Sequence, residues 1–117
     1  MITDAAAKYP WDVQRAAERI ARFTSRRTLD DYLADEMLSA AVEHQFEIIG
    51  EALVGLRRLA PEVAAMVPDL PQIIGFRNVL IHAYGDVDPK EVWGTIQNDL
   101  PQLQDAVADL LRAARSP

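Results

Sequence analysis

Apolar side chains recur at helical spacing through most of the chain, and prolines divide the pattern into separate elements. Val13, Ala16, Ala17, Ile20 and Phe23 fall on one face of a helix predicted from about residue 10 to about residue 25, with Pro10 suited to its first position. Leu29 to Ala34 reads as a short helical connector. The longest helix is predicted from Asp35 to about Leu59, where Leu38, Ala41, Val42, Ile49, Ala52, Leu53, Leu56 and Leu59 form the apolar stripe. Phe46 and Ile48 widen that stripe beyond what one core needs, which predicts a second buried face. Pro61 and Glu62 open a short helix that Pro68 closes, Pro71 stands where a further helix starts, and Gly85 after Tyr84 is its expected left-handed stop. Asp88, Pro89 and Glu91 have the order of a helix start, as N-cap, first position and capping-box partner. The final helix carries Val92, Trp93, Ile96, Leu100, Leu103, Val107, Leu110 and Leu111, and Pro101 should kink it near Gln97 because its ring clashes with the preceding turn. The expected fold is all-α, an antiparallel four-helix bundle with an additional short helix, in a single domain over residues 1–117.

Composition narrows the function classes. The chain has no cysteine, which excludes a disulfide framework, a thiolate metal site and a cysteine nucleophile. Its start lacks a basic segment followed by an apolar one, and no stretch approaches about 18 uncharged apolar residues, so a soluble, cytoplasmic protein that does not enter a membrane is expected. The formal net charge of -6 argues against non-specific coating of nucleic acid, which usually needs a basic domain. The charge is uneven, however. Arg15, Arg19, Arg22 and Arg26 form a basic stripe on the first helix, whereas residues 28 to 51 hold seven carboxylates and no Lys or Arg. The stripe could grip phosphates or an acidic partner, although a solvated helix face has the same appearance. Glu43, Glu47 and Glu51 with His44 read as an ordinary polar stripe in preference to a cation site.

The chemistry concentrates in Phe76-Arg77-Asn78-Val79-Leu80-Ile81-His82-Ala83-Tyr84-Gly85. With about 100° of turn per residue, Arg77, Asn78, His82 and Tyr84 share one broad side, and Ile73, Phe76, Val79, Leu80 and Ala83 form the opposite, core-facing arc. Ile74 and Ile81 fall within the polar arc, which points to a covered cleft or a subunit contact. RNA brings its own nucleophile, the 2′-hydroxyl, so its cleavage needs proton transfer and positive charge on the phosphorane oxygens. Histidine can serve either proton-transfer role near neutrality, arginine supplies a permanent bidentate cation, and Asn78 can orient the imidazole or bind phosphate or sugar. This scheme requires no metal and no cofactor. On spacing alone, an Arg and a His on one helix are more often surface or interface residues than a catalytic pair, and Tyr84 reads as a half-buried aromatic. A two-fold homodimer would set two such clusters on one groove, and Phe46, Ile48, Ile74 and Ile81 are the expected contacts.

The order Arg, four residues, His, one residue, Tyr resembles the RX4HXY motif of HepT-like toxins, ribonucleases of the HEPN superfamily. The likeness extends over Asp12 to Ile20, Leu29 to Leu33, Glu47 to Ala52, Arg77 to Asp88, Val92-Trp93 and Asn98 to Pro101, with Ala83 where glycine is common. The resemblance implies a dimeric helical bundle in which Arg77 and His82 form a metal-independent endoribonuclease site and Asn78 is their polar companion. It also implies the toxin role of a type VII-like HEPN/MNT toxin-antitoxin pair acting on RNA, with tRNA a candidate target. A minimal nucleotidyltransferase antitoxin, MntA-like, would neutralise it by adding AMP to Tyr84. The competing expectation is a non-catalytic helical module that binds a nucleotidyltransferase.

Overall fold

The computed structural model describes residues 2–82 and 87–115 and is built from helices, with no strand among the described residues. Seven helices follow in order: α1 (Asp4–Phe23), α2 (Leu29–Ala34), α3 (Glu36–Leu59), α4 (Pro61–Ala64), α5 (Leu70–His82), α6 (Pro89–Asn98) and α7 (Leu100–Arg115). The all-α bundle expected from the periodicity is therefore present.

Most helix starts follow capping chemistry. The Thr3 hydroxyl accepts the Ala6 N–H at 3.2 Å, and Asp35 accepts the Leu38 N–H at 3.0 Å, so each side chain satisfies one of the amides that a first turn leaves without a partner. Thr28 and Asp31 form a reciprocal capping box at 3.0 and 3.1 Å, which explains why the six residues of α2 are helical at all. Asp88 accepts from the Lys90 N–H at 2.9 Å with Pro89 at the first position, but among the described residues the Glu91 carboxylate does not return the capping-box bond.

Two boundaries differ from expectation. The first helix starts at Asp4, and Pro10 lies buried inside it, because Thr3 supplies a better cap and the apolar Ala6 extends the buried face backwards. The predicted kinked final helix is two helices. Pro101 has no N–H to give to Gln97, which interrupts the ladder, although Asp99 between the two helices keeps helical bonds on both sides, its N–H to the Thr95 carbonyl at 2.9 Å and its carbonyl from the Leu103 N–H at 3.2 Å. The predicted end of α5 at Tyr84 and Gly85 lies outside the described residues.

The core centres on α3. Helix α1 runs antiparallel to it, with Tyr9 against Gly55 at one end and Arg19 bonded to Gln45 at the other. Helix α7 covers the far side of α1, α5 lies on α3, and α2 joins α6 through the Tyr32–Trp93 ring pair, whose centroids are 5.5 Å apart. Val13, Ile20, Val42, Ile49, Leu53, Leu56, Val92 and Val107 are completely buried, and each full burial of such a side chain contributes about 1.5–3 kcal/mol against conformational entropy. Phe46 and Ile74 are buried in this same core, so two of the four residues expected at a subunit contact are instead core residues.

Tyr32 is fully buried and its hydroxyl has no hydrogen-bond partner among the described residues. Burial, reinforced by the nearby Glu43 carboxylate, pushes its ionisation well above the ordinary tyrosine range. The folded state thus resists a deprotonation that the unfolded chain undergoes near pH 10, and stability is lost as the pH rises above that value. Tyr32→Phe should leave neutral-pH stability unchanged or raise it by about 1 kcal/mol, because an unpaired hydroxyl leaves the core. It should also flatten the alkaline loss. Denaturant titrations at pH 7 and above pH 10 check both, and a clear loss at pH 7 would reveal a partner for the hydroxyl.

Candidate active site

Helix α5 is apolar nearly all round, so its neighbours set which face is buried. Leu70, Ile74 and Leu80 are buried, with Ile73, Phe76 and Arg77 half-buried, whereas Val79 is 52% exposed. The predicted core arc is therefore rotated by about a quarter turn. Val79 faces out, Ile74 faces in, and Arg77 lies on the side that meets α3.

Gly50 produces this rotation. A Cβ placed there would overlap the Cβ and Cγ of Arg77, so the arginine stem passes over α3 where no side chain stands. Glycine in mid-helix costs about 1 kcal/mol relative to alanine, and the close approach of α5 is what offsets it. The stem delivers the guanidinium to Glu51, the next residue on α3, with which Nη2 forms an ion pair. Nη1 donates to the Asn78 Oδ1 at 2.8 Å, and Nε is buried with no hydrogen-bond partner among the described residues. The arginine side chain is 22% exposed while Glu51 is 67% exposed, so the cation is held and its counter-ion is free to move. Sequence reasoning missed Gly50 and Glu51 as site residues. The signal was present as a glycine inside the longest predicted helix.

His82 follows five residues after Arg77, is exposed, and ends the described part of α5. Asn78 turns to Arg77, not to the imidazole, which assigns it to the cation. Tyr84 lies outside the described residues. The basic stripe does not form one free row. Arg19 bonds the Gln45 Oε1 at 3.3 Å, Arg15 and Arg22 lie over the rings of Trp11 and Phe23, and Arg26 falls beyond the helix end with φ 62°. None of these four contacts Arg77 among the described residues.

On the acidic side of α3, burial and then the neighbouring Glu47 raise the Glu43 carboxyl above its usual range, while the Glu47 Oε2 lies 3.7 Å from the His44 Nδ1. Among the described residues no group of three or more His, Asp or Glu is placed to hold a metal. A hollow of about 410 Å³ near the α6–α7 break is lined in part by Phe46, Ile73, Phe76 and Leu103 and has no Arg, Lys or His on its lining.

Residues 13–110 match the family described as Ribonuclease HepT-like. The chain belongs to this family. It is 34% identical over 98 residues to "Probable ribonuclease HepT" of Thermococcus cleftensis, across 82% of this chain and 86% of that relative. It is also 34% identical over 85 residues to "Putative RNase TTE0752" of Caldanaerobacter subterraneus, across 73% and 75% of the two chains. A further relative, "Putative RNase MJ1380" of Methanocaldococcus jannaschii, is 28% identical across 83% and 88%. No solved structure matches the chain significantly. No described helix is long and apolar enough to cross a membrane.

The contact between Gly50 and Arg77 makes a coupling prediction. Gly50→Ala should destabilise by about 1–3 kcal/mol through overpacking, and in an Arg77→Gly background, where both the Cβ and the Cγ it would meet are gone, the same substitution should cost much less. Denaturant unfolding of both single variants and the double variant measures the coupling, and strict additivity would mean that the two residues do not touch.

Proposed function

We propose that this chain is a metal-independent endoribonuclease and the toxin of a type VII-like HEPN/MNT pair, with Arg77 and His82 as its catalytic residues. The observation that carries this reading is the held guanidinium: Arg77 is fixed by Gly50, Glu51 and Asn78 on the helix that presents His82, in a chain of the HepT-like family. In the reaction a base takes the proton of the RNA 2′-hydroxyl, the 2′-oxygen bonds to phosphorus, and the bond to the 5′-oxygen breaks as that oxygen receives a proton. Arg77 neutralises charge on the phosphorane, and two copies of His82 in a two-fold homodimer would supply base and acid. Of the expected contacts Ile48 and Ile81 are left once Phe46 and Ile74 are assigned to the core, and Val79, exposed on α5, joins them.

Purified protein free of adduct should cleave RNA in EDTA and leave a 2′,3′-cyclic phosphate, and a 2′-deoxy nucleotide at the cleaved position should stop the cut. Arg77→Ala and His82→Ala should each lower the rate by about a hundredfold or more while the protein still folds. Undiminished cutting of the deoxy substrate would overturn the 2′-hydroxyl route. A folded protein that binds a nucleotidyltransferase but never cuts RNA would favour the non-catalytic module.

In the same reading an MntA-like nucleotidyltransferase neutralises the toxin by adding AMP to Tyr84, two residues after His82. The adduct adds negative charge that pairs with Arg77 and repels substrate phosphate, so inhibition needs no refolding. With that enzyme and ATP, intact mass should rise by AMP units, and Tyr84→Phe should abolish the gain while retaining ribonuclease activity. A Tyr84→Phe variant that is still modified and silenced would place the acceptor elsewhere.

A further inference from the structure

The Arg77 guanidinium offers five N–H groups, and their surroundings differ. Nε is buried with no hydrogen-bond partner among the described residues, and Nη1 donates to the Asn78 Oδ1 at 2.8 Å. Nη2 is left as the point where an anion can approach, and the Glu51 carboxylate already stands on it. The two partners of this ion pair are unequal. The arginine is held by its passage over Gly50 and by Asn78, whereas Glu51 is 67% exposed and makes no second hydrogen bond among the described residues. When Glu51 turns away it gives up one contact and passes into water.

A carboxylate and a phosphodiester present the same pattern to a guanidinium: two oxygens sharing one negative charge, spaced to meet parallel N–H groups. Placed side by side on one guanidinium the two anions repel each other, so Nη2 does not serve both at once. Glu51 therefore stands where a substrate phosphate would have to stand. Glu47, one helical turn earlier on α3, provides the comparison. It adds the same charge to the neighbourhood, but its Oε2 lies 3.7 Å from the His44 Nδ1 and it has no bond to Arg77 among the described residues. Charge in the vicinity and charge on Nη2 are thus carried by different side chains.

The geometry points to Glu51 as a charge gate: a carboxylate that occupies the phosphodiester's place on Arg77 and must be exchanged for it before RNA is cut. Its consequence for catalysis rests on the ribonuclease reading, but the exchange itself does not, and a simple anion reports it. Dimethyl phosphate carries the charge of the RNA backbone without base or sugar. Its binding to the full chain is followed by the Arg77 Nε–H resonance, identified by its loss in Arg77→Lys. Glu51→Gln keeps the size and one acceptor oxygen of the side chain and removes its charge. It should tighten dimethyl phosphate by about threefold to tenfold, the scale of one partly covered ion pair. Glu47→Gln removes the same charge and should change that affinity by less than about twofold, because solvent screens a carboxylate that is not in contact. An equal gain in Glu47→Gln would reduce the effect to net charge, and an Arg77 signal that responds alike in Glu51→Gln and the unchanged chain would overturn the gate.

Cleavage kinetics then separate the two readings. With RNA as substrate, Glu51→Gln should raise kcat/KM through a lower KM, since a competitor for the phosphate position has been removed. A fall in kcat would mean that Glu51 acts in the chemical step or is needed to orient Arg77 during it, and the gate would be wrong. If RNA is cut and KM does not move in Glu51→Gln, the ribonuclease reading stands and the gate fails. If dimethyl phosphate tightens as expected and no RNA is cut by either protein, the exchange at Arg77 stands and the ribonuclease reading fails.

Discussion

The close crossing of α5 over α3 at Gly50 is the constraint on which the site depends. Helix α5 is short and apolar on almost every side, so its own sequence leaves its rotation undetermined. The missing side chain at position 50 creates a place where a long stem can lie flat against α3, and Arg77 takes it, as Tyr9 takes the one at Gly55. Once Arg77 is seated, Ile74 and Leu80 must point inward and Val79 outward, because they are fixed at set angles around the same helix. The T-shaped contact of Phe46 with Phe76, centroids 5.2 Å apart, locks the same rotation one turn lower on α3. A packing vacancy on one helix thus decides which polar groups the next helix shows to solvent.

This dependence also sets how much of the molecule was legible from its residues. Helix α3 was legible to within a residue because its stripe is long and Asp35 is a strong cap. The connector 29–34 and the Asp88-Pro89 start were legible for the same reason, since turn and cap chemistry is local. The start of α1 was not, because Pro10 has the composition of a helix start and only the Thr3 cap with buried Ala6 reveals the earlier turn. The break at Asp99 was half legible: Pro101 announced a disturbance, but whether a helix bends or divides depends on how α6 and α7 pack.

For the site, Arg77 and His82 stood out by residue type, whereas their surroundings did not. The face of α5 was misassigned because helical angles were measured from Arg77 on the assumption that a charged residue faces water. The arginine is instead mostly covered, and its partner Glu51 sits twenty-six residues earlier. Nothing local in the sequence joins those two positions. The mid-helix glycine beside Glu51 was the available clue, since an interior glycine is costly unless something passes close to it.

The pairing of Arg77 also bears on how an acidic chain can meet RNA. Its net charge of -6 works against association at long range, so in the proposed function affinity would rest on a local cation held in place beforehand. Glu51 supplies that holding. Its side chain is two-thirds exposed while the guanidinium is mostly covered, so in the proposed reaction an arriving phosphate would have to take the place of this carboxylate. Asn78 is bonded to the other guanidinium nitrogen and need not move for this exchange. The arginine is already extended in the free protein, so in the proposed reaction the ordering of its long side chain, a cost that a free surface arginine meets at the moment of binding, would have been met in folding.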